Sequence, residues 1–330
     1  RARNSWRIYT SKNRPGEGES MRILITGGAG TLGAALVDHW QPKGYDLLII
    51  DNFATGNRGN VPVVERVELL EGSVCDSSLI ETAFQKFQPD LCVHAAASYK
   101  DPDNWLDDAQ TNVIGTINVV KAAEQTSVQR VINLQTALTY GRPTKLPIEE
   151  SMPSRPFTSY GISKTSAENY ALMSSIPTLS LRLANVTGPR LSIGPIPTFY
   201  QRLKAGKPCF CSDSTRDFLD LRDFLAFMDL AIQPAAPTGI YNVSTGEQIS
   251  IHQIFKAVCK HLKLDPNQDV PIVPVGLDDV ANVVLDPSKA QQNFSWQARV
   301  GFEQMMSSML DWYDRHGVTA VFSHLKSTTV

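Results

Sequence analysis

Short apolar runs alternate with amphipathic stretches through the first half of the chain. The runs are Ile23-Leu-Ile25, Leu47-Leu-Ile-Ile50, Val67-Glu-Leu-Leu70, Leu91-Cys-Val-His94, Arg130-Val-Ile-Asn-Leu134 and Thr178-Leu-Ser-Leu-Arg-Leu183. Most are nearly continuous in apolar character rather than strictly alternating, the pattern of strands covered on both faces of a parallel sheet. Helical spacing lies between them: Ala34 to Val37, Leu79 to Phe87, a long helix opened by Asn112 and running through Val119, Val120 and Ala123, and Phe157 to Tyr170. For the last of these, Thr158 or Ser159 supplies an N-cap hydroxyl. Strand and helix in strict turn predict βαβ units, right-handed crossovers and one doubly wound parallel sheet of the α/β class. After Asn185-Val-Thr-Gly-Pro189 the alternation stops and prolines and glycines become frequent, which predicts a smaller domain of loops and short helices. Gly239-Ile-Tyr-Asn-Val-Ser244 reads as one more strand returning to the main sheet, and Ile249–Leu262 and Glu303–Tyr313 read as amphipathic helices.

Bulk properties narrow the class without naming an activity. A chain of 330 residues with 42% hydrophobic and 19% charged residues can bury one large core or two unequal ones. A net charge of −2 gives no reason to expect nucleic acid or an anionic membrane as partner. No run approaches the roughly 20 apolar residues that span a bilayer. Five scattered cysteines point to a reducing, cytoplasmic setting without a disulfide framework. Cys209 and Cys211 have no partner pair at zinc spacing, so plain thiols and no metal site are expected. Residues 1–20 are polar and basic and lack an apolar segment. They read as a disordered extension, with Met21 as the natural start.

The first strand breaks into Gly27-Gly-Ala-Gly30-Thr-Leu-Gly33, and a helix follows. Gly27 allows a tight turn, Gly30 lets backbone approach a pyrophosphate, and Gly33 lets helix and strand pack closely. The helix N-terminus, at Thr31 and Leu32, offers N–H groups and partial positive charge to that phosphate. Eighteen residues past Gly33, Asp51 ends the second apolar run. A carboxylate there bonds the adenosine ribose hydroxyls and repels a 2′-phosphate, so NAD is favoured over NADP. Farther along, Tyr160 and Lys164 stand four apart on one helix and so share a face. A phenol of reference pKa about 10 is a poor base at neutral pH. A lysine ammonium beside it and a cationic nicotinamide above it favour the phenolate.

The glycine spacing, Tyr160-x-x-x-Lys164 and Leu134-Gln-Thr-Ala-Leu-Thr-Tyr-Gly141 together resemble the extended short-chain dehydrogenase/reductase family, from Met21 nearly to the C-terminus. The resemblance is nearest to nucleotide-sugar epimerases of bacterial O-antigen and surface-polysaccharide loci, on Ala97-Ser-Tyr-Lys-Asp-Pro-Asp103, Gln135-Thr-Ala-Leu138 and Arg182-Leu-Ala-Asn-Val-Thr-Gly-Pro-Arg190. It implies a Rossmann-type NAD domain over residues 21–187 and a nucleotide-sugar domain over 188–330. A segment near 215–245 rejoins the main sheet. For the cofactor it implies contacts from Asn52, Ser73 and Val74, from Ala95, Ala96 and Ala97, and from Asn112. Ser73 reads equally as a turn residue, and Asn112 equally as a polar residue satisfied by backbone. Lys164 holds the nicotinamide ribose.

The family's third catalytic member falls on Thr136, with Thr139 the other candidate. Dehydrating members carry Asp-Glu just after that threonine and decarboxylating members a glutamate nearby. This chain has Ala137 and Leu138, as an epimerase does. For a UDP-sugar the resemblance implies Lys100, Asn185, Thr198, Phe199, Arg216 and Asp279, with Arg216 clamping the diphosphate. Asp279 reads equally as a solvated loop acid. An arginine expected three residues earlier is replaced by Gly276. The expected reaction is 4-epimerisation through a transient 4-keto sugar, in a homodimer built on long helices starting near Ala109 and Ser159.

Overall fold

The computed structural model describes residues 20–99, 101–276, 279–318 and 321. Seven parallel strands form the main sheet. Six of them are β1 (Arg22–Thr26), β2 (Asp46–Asp51), β3 (Val67–Glu71), β4 (Leu91–His94), β5 (Arg130–Thr136) and β6 (Thr178–Leu183). The seventh is Gly239–Val243, at the edge beyond β6. The order across the sheet is Gly239–Val243, β6, β5, β4, β1, β2, β3. Ile23, Leu24 and Ile25 are wholly buried, as an inner parallel strand requires. The connecting helices are α1 (Thr31–Trp40), α2 (Ser77–Phe87), α3 (Trp105–Asp108), α4 (Gly115–Gln125) and α5 (Ser159–Met173). This is a Rossmann-like α/β fold, as the alternation of the sequence predicts.

The chain divides into two compact units. One comprises the chain up to Ala97, Gln110–Asn133 and Asn169–Thr178. The other comprises Ser98–Ala109, Leu134–Glu168 and the chain from Leu179 onward. In the first, β1 pairs with β2 (Ile23 opposite Leu47) and with β4 (Ile23 opposite Leu91). Ile80, Ala83, Phe84 and Phe87 of α2 and Val119, Ala122 and Ala123 of α4 close over Leu24, Leu48, Ile50 and Cys92.

In the second unit, Gly239–Val243 runs parallel to β6. A further core is built by α6 (Pro195–Lys204), α8 (Ile251–His261) and α10 (Phe302–His316), through Phe199, Ile254, Phe255, Met309 and Tyr313. Two more helices, α7 (Leu221–Ala231) and α9 (Ser288–Phe294), complete this unit. The short strand Thr215–Arg216 lies between Ile249–Ser250, antiparallel to it, and Asn282–Val283, parallel to it.

Among the element boundaries that differ from the pattern, two have a clear local cause. Asn112 does not open its helix. Asn104 caps α3 by accepting from the Asp107 N–H, and the chain then passes through a π turn, Ala109–Ile114, before α4. Asn112 is buried inside that turn, where its carbonyl accepts the Thr116 hydroxyl at 2.6 Å. A side chain competing for a backbone acceptor is the kind of local bond that loosens the i−4 ladder. Likewise α8 starts two residues later than the apolar spacing suggests. Ile249 is drawn into the ladder with Arg216, and Ser250 with Gln253 forms a capping box.

Candidate functional site

The glycine loop is shaped by what its residues lack. Gly27 has φ +68°, and a Cβ there would sit 2.6 Å from the Ala96 nitrogen; a Cβ on Gly33 would sit 2.3 Å from the Gly27 carbonyl oxygen. The loop therefore closes on the backbone of Ala95 and Ala96, with the Ala95 N–H donating to the Thr26 carbonyl and the Ala96 N–H to its hydroxyl. Gly30 is different. Only the Gly27 oxygen, at 3.3 Å, would neighbour its Cβ, and Gly30 forms the N-cap of α1 without a side-chain cap. An open cradle over the first turn of a helix, at Thr31 and Leu32, suits a pyrophosphate. Asp51 is buried, and its two carboxylate oxygens accept from the Ala29 and Phe53 N–H groups, each at 2.8 Å. Asn52 accepts from the Ala54 N–H. These residues fit NAD.

Ser73 is a turn residue in this structure, its hydroxyl accepting from the Cys75 N–H at 3.1 Å. Val74 packs into the core of the first unit, and its carbonyl accepts from the Asn118 side chain. Asn112 is buried as described, and Ala97 lies in the stretch without regular structure that follows β4.

The tyrosine and lysine of the sequence motif lie in the second unit. Thr158 caps the first turn of α5 by accepting from the Gly161 N–H. Ser159 does something else: its hydroxyl donates to an oxygen of Asp108 at 2.7 Å. Tyr160 follows, its phenol near enough to the Thr136 hydroxyl for that group to favour the phenolate. Thr136 ends β5, caps the next turn by accepting from the Leu138 N–H, and is the threonine that faces the tyrosine. Thr139 is fully buried and shares hydroxyl bonds with Thr165 and Ser154, which is a packing role.

Burial raises the Tyr160 phenol well above its ordinary pKa, and Tyr99 and Asp108 add to the rise, while Thr136 lowers it. The Tyr99 ring packs edge-on against it, centroids 6.1 Å apart. Lys164 is only 2% exposed. It donates to the Leu134 carbonyl at 2.7 Å, and burial pushes it down to about 8, with Glu168 pulling upward. A neutral phenol held against a threonine hydroxyl, with a lysine one turn away that is charged below about 8, is an acid–base pair for a hydroxyl-bearing carbon.

The residues expected at the sugar nucleotide are also in this unit. Arg216 donates to Asp279 at 2.7 Å, and both side chains are only 15% exposed. The same guanidinium donates to the carbonyls of Thr215 and Ala281. Asp279 is therefore an ion-pair partner rather than a solvated acid. Asn185 donates from its side chain to the Asp217 carbonyl, and Asp217 itself holds Thr245 and Gly246. The Thr198 hydroxyl bonds back to the Gly194 carbonyl. Phe199 is buried in the second core, its ring edge-on to Phe255, so only its backbone remains to meet a ligand. Lys100 lies outside the described residues. Sequence reasoning did not single out Asp108. Within Asp101-Pro-Asp-Asn-Trp-Leu-Asp-Asp108 it reads as one more solvated acid, and only its burial sets it apart.

With the geometry in hand, known proteins offer close parallels. The model of the NAD dependent epimerase/dehydratase family matches residues 23–244. The UDP-glucose 4-epimerase of Corynebacterium glutamicum is 31% identical over 308 residues, covering 84% of this chain and 90% of the relative. A probable UDP-arabinose 4-epimerase 3 of Arabidopsis thaliana is 28% identical over 351 residues, covering 93% of this chain and 84% of the relative. Among solved structures, the Bordetella bronchiseptica enzyme WbmG in complex with NAD superposes with a TM-score of 0.89 at 56% identity, covering 94% of this chain and 99% of that one. Its complex with NAD and UDP gives 0.88 at 57%, with the same coverage. The matched span takes in the glycine loop, Thr136, Tyr160, Lys164 and Arg216, and the chain belongs to the NAD dependent epimerase/dehydratase family.

Proposed function

We propose that this chain is an NAD-dependent nucleotide-sugar 4-epimerase acting on a UDP-hexose, whether plain, N-acetylated or oxidised to a uronic acid, in surface-polysaccharide synthesis in the cytoplasm. Residues 21–187 carry the cofactor in this reading, and residues 188–330 the sugar nucleotide. The observation that carries it is the half-buried Tyr160, its phenol held down by the Thr136 hydroxyl, with Lys164 one turn along and no carboxylate at Ala137 or Leu138. Without an acid and base for elimination, the site is left with proton and hydride transfer at C4. Named relatives that act on UDP-glucose and UDP-arabinose support the nucleotide, and WbmG bound to NAD and UDP supports the pairing of ligands.

When bound, NAD supplies the acceptor for the C4 hydride and the donor that returns it. Tyr160 removes the 4-hydroxyl proton and gives it back, and Thr136 hydrogen-bonds the same oxygen. The Lys164 ammonium lowers the cost of the phenolate. Arg216 and Asp279 hold the diphosphate and ribose while the 4-keto sugar turns over, so binding energy remote from C4 serves the chemistry. A second copy of the chain completes the assembly in this reading. Trp105, Leu106 and Ile114, and on α5 Ile162, Tyr170 and Met173, are large apolar side chains exposed to solvent. The α5 set recurs at helical spacing, the pattern of a face that packs against a partner helix.

Incubation with UDP-GlcNAc, UDP-glucose and UDP-glucuronate separately, without added nicotinamide and with NMR detection, tests the proposal. A 4-epimer forming without net NAD reduction is expected. Unchanged sugars on an NAD-loaded protein, or stoichiometric consumption of NAD, would overturn it.

A further inference from the structure

Asp108 is 1% exposed, yet it carries a carboxyl group and lies 52 residues before the tyrosine in sequence. One oxygen accepts the Ser159 hydroxyl at 2.7 Å, at the residue directly before Tyr160. The other is buried and meets no donor in hydrogen-bond geometry among the described residues; burial raises the carboxyl group above its ordinary pKa, and Ser159 and Ser98 pull it back. Ser98 also donates to the neighbouring Asp107. Burying a carboxylate with half its acceptors unused costs free energy and calls for a compensating role.

We propose that Asp108 is a positioning residue for the tyrosine: its buried carboxyl group accepts the Ser159 hydroxyl, anchors the first turn of α5 and so sets an acidic group beside the residue that precedes Tyr160. The inference rests on Tyr160 as the proton-transferring group. The groups acting on the phenol are Tyr99 from the segment after β4, Asp108 from α3 and the Thr136 hydroxyl from the end of β5, while Lys164, one turn along the same helix, donates to the Leu134 carbonyl. Those facing Asp108 are Ser159, Ser98, Asp107 and Asp101. Tyr99 and Asp108 therefore oppose ionisation of the phenol, and Lys164 with the nicotinamide cation opposes them.

The test compares Asp108→Asn, Ser159→Ala and Tyr160→Phe in the NAD-loaded protein, through the pH profile of kcat and the ultraviolet titration of tyrosinate. Asp108→Asn keeps the shape and removes the charge. It should move the acid limb of kcat, and the tyrosinate transition that Tyr160→Phe abolishes, to lower pH by about one unit. Ser159→Ala keeps the charge and breaks the anchor. It should lower kcat several-fold with the limb unmoved, and it tests the anchor even where the Asn variant folds poorly. A limb and transition unshifted in a folded Asp108→Asn protein would overturn the electrostatic role, and wild-type kcat in Ser159→Ala would overturn the anchor. Wild-type turnover in Tyr160→Phe would instead remove the reading of Tyr160, a failure distinct from both.

Discussion

The glycine loop and the start of α5 are built on opposite principles. At Gly27 and Gly33 the backbone approaches so closely that one added carbon would collide with main-chain atoms at 2.6 and 2.3 Å. At Thr136, Ser159, Tyr160 and Lys164, polar side chains are buried or partly buried and each is committed to a named neighbour. The first region is intolerant of volume, because backbone cannot give way as a flexible side chain can. The second tolerates volume but not a change of hydrogen-bonding or charge, because a buried polar group without its partner is expensive. A loop made from absences recognises a ligand by shape, whereas a cluster made from functional groups acts on it.

Substitutions that pull the two apart sharpen this contrast. The largest effect is expected for Tyr160→Phe, which should lose at least about a hundredfold in kcat while NAD and UDP binding by calorimetry stay intact. Next is Gly33→Ala, whose methyl group must displace the Gly27 carbonyl. A cost of about 1–3 kcal/mol should appear as a lower Tm and poorer NAD retention after gel filtration, with no change in the pH profile of molecules that remain loaded. Arg216→Lys removes the planar guanidinium from Asp279 and should raise KM for the UDP-sugar about tenfold, or about 1.4 kcal/mol, with a smaller change in kcat. The smallest effect is assigned to Thr139→Val. It should destabilise by about 1 kcal/mol in a denaturant titration through the lost bonds to Thr165 and Ser154, and leave kcat within twofold. If Thr139→Val rather than Thr136→Val abolished turnover, the roles of the two threonines would be reversed.

The glycine loop was legible because its logic is local: strand, three glycines, helix and a terminal acid fall within 30 residues. Tyr160 and Lys164 were legible because a helix brings positions four apart together whatever surrounds them. Asp108 was not, since its bond to Ser159 spans 51 residues and nothing in an acid-rich loop marks which acid turns inward. The Arg216–Asp279 pair spans 63 residues through a short strand that no periodicity announces. Asn112 was found but misplaced, because a π turn has no sequence period of its own. Phe199 sits in a Pro-Thr-Phe-Tyr stretch where a ligand wall and a core helix share one pattern, and only the packing against Phe255 separates them.

The Asp51 carboxylate, which grips the Ala29 and Phe53 N–H groups from either side, bears on how this lineage could change its diet of cofactors. A route to the phosphorylated dinucleotide ordinarily runs through loss of this acid and gain of a nearby arginine. Here the acid is also the rivet that joins the glycine loop to the loop after β2, so its replacement strands two backbone donors at about 1–3 kcal/mol each. Cofactor exchange at this position therefore carries a stability cost in both loops as well as a change in ligand contacts.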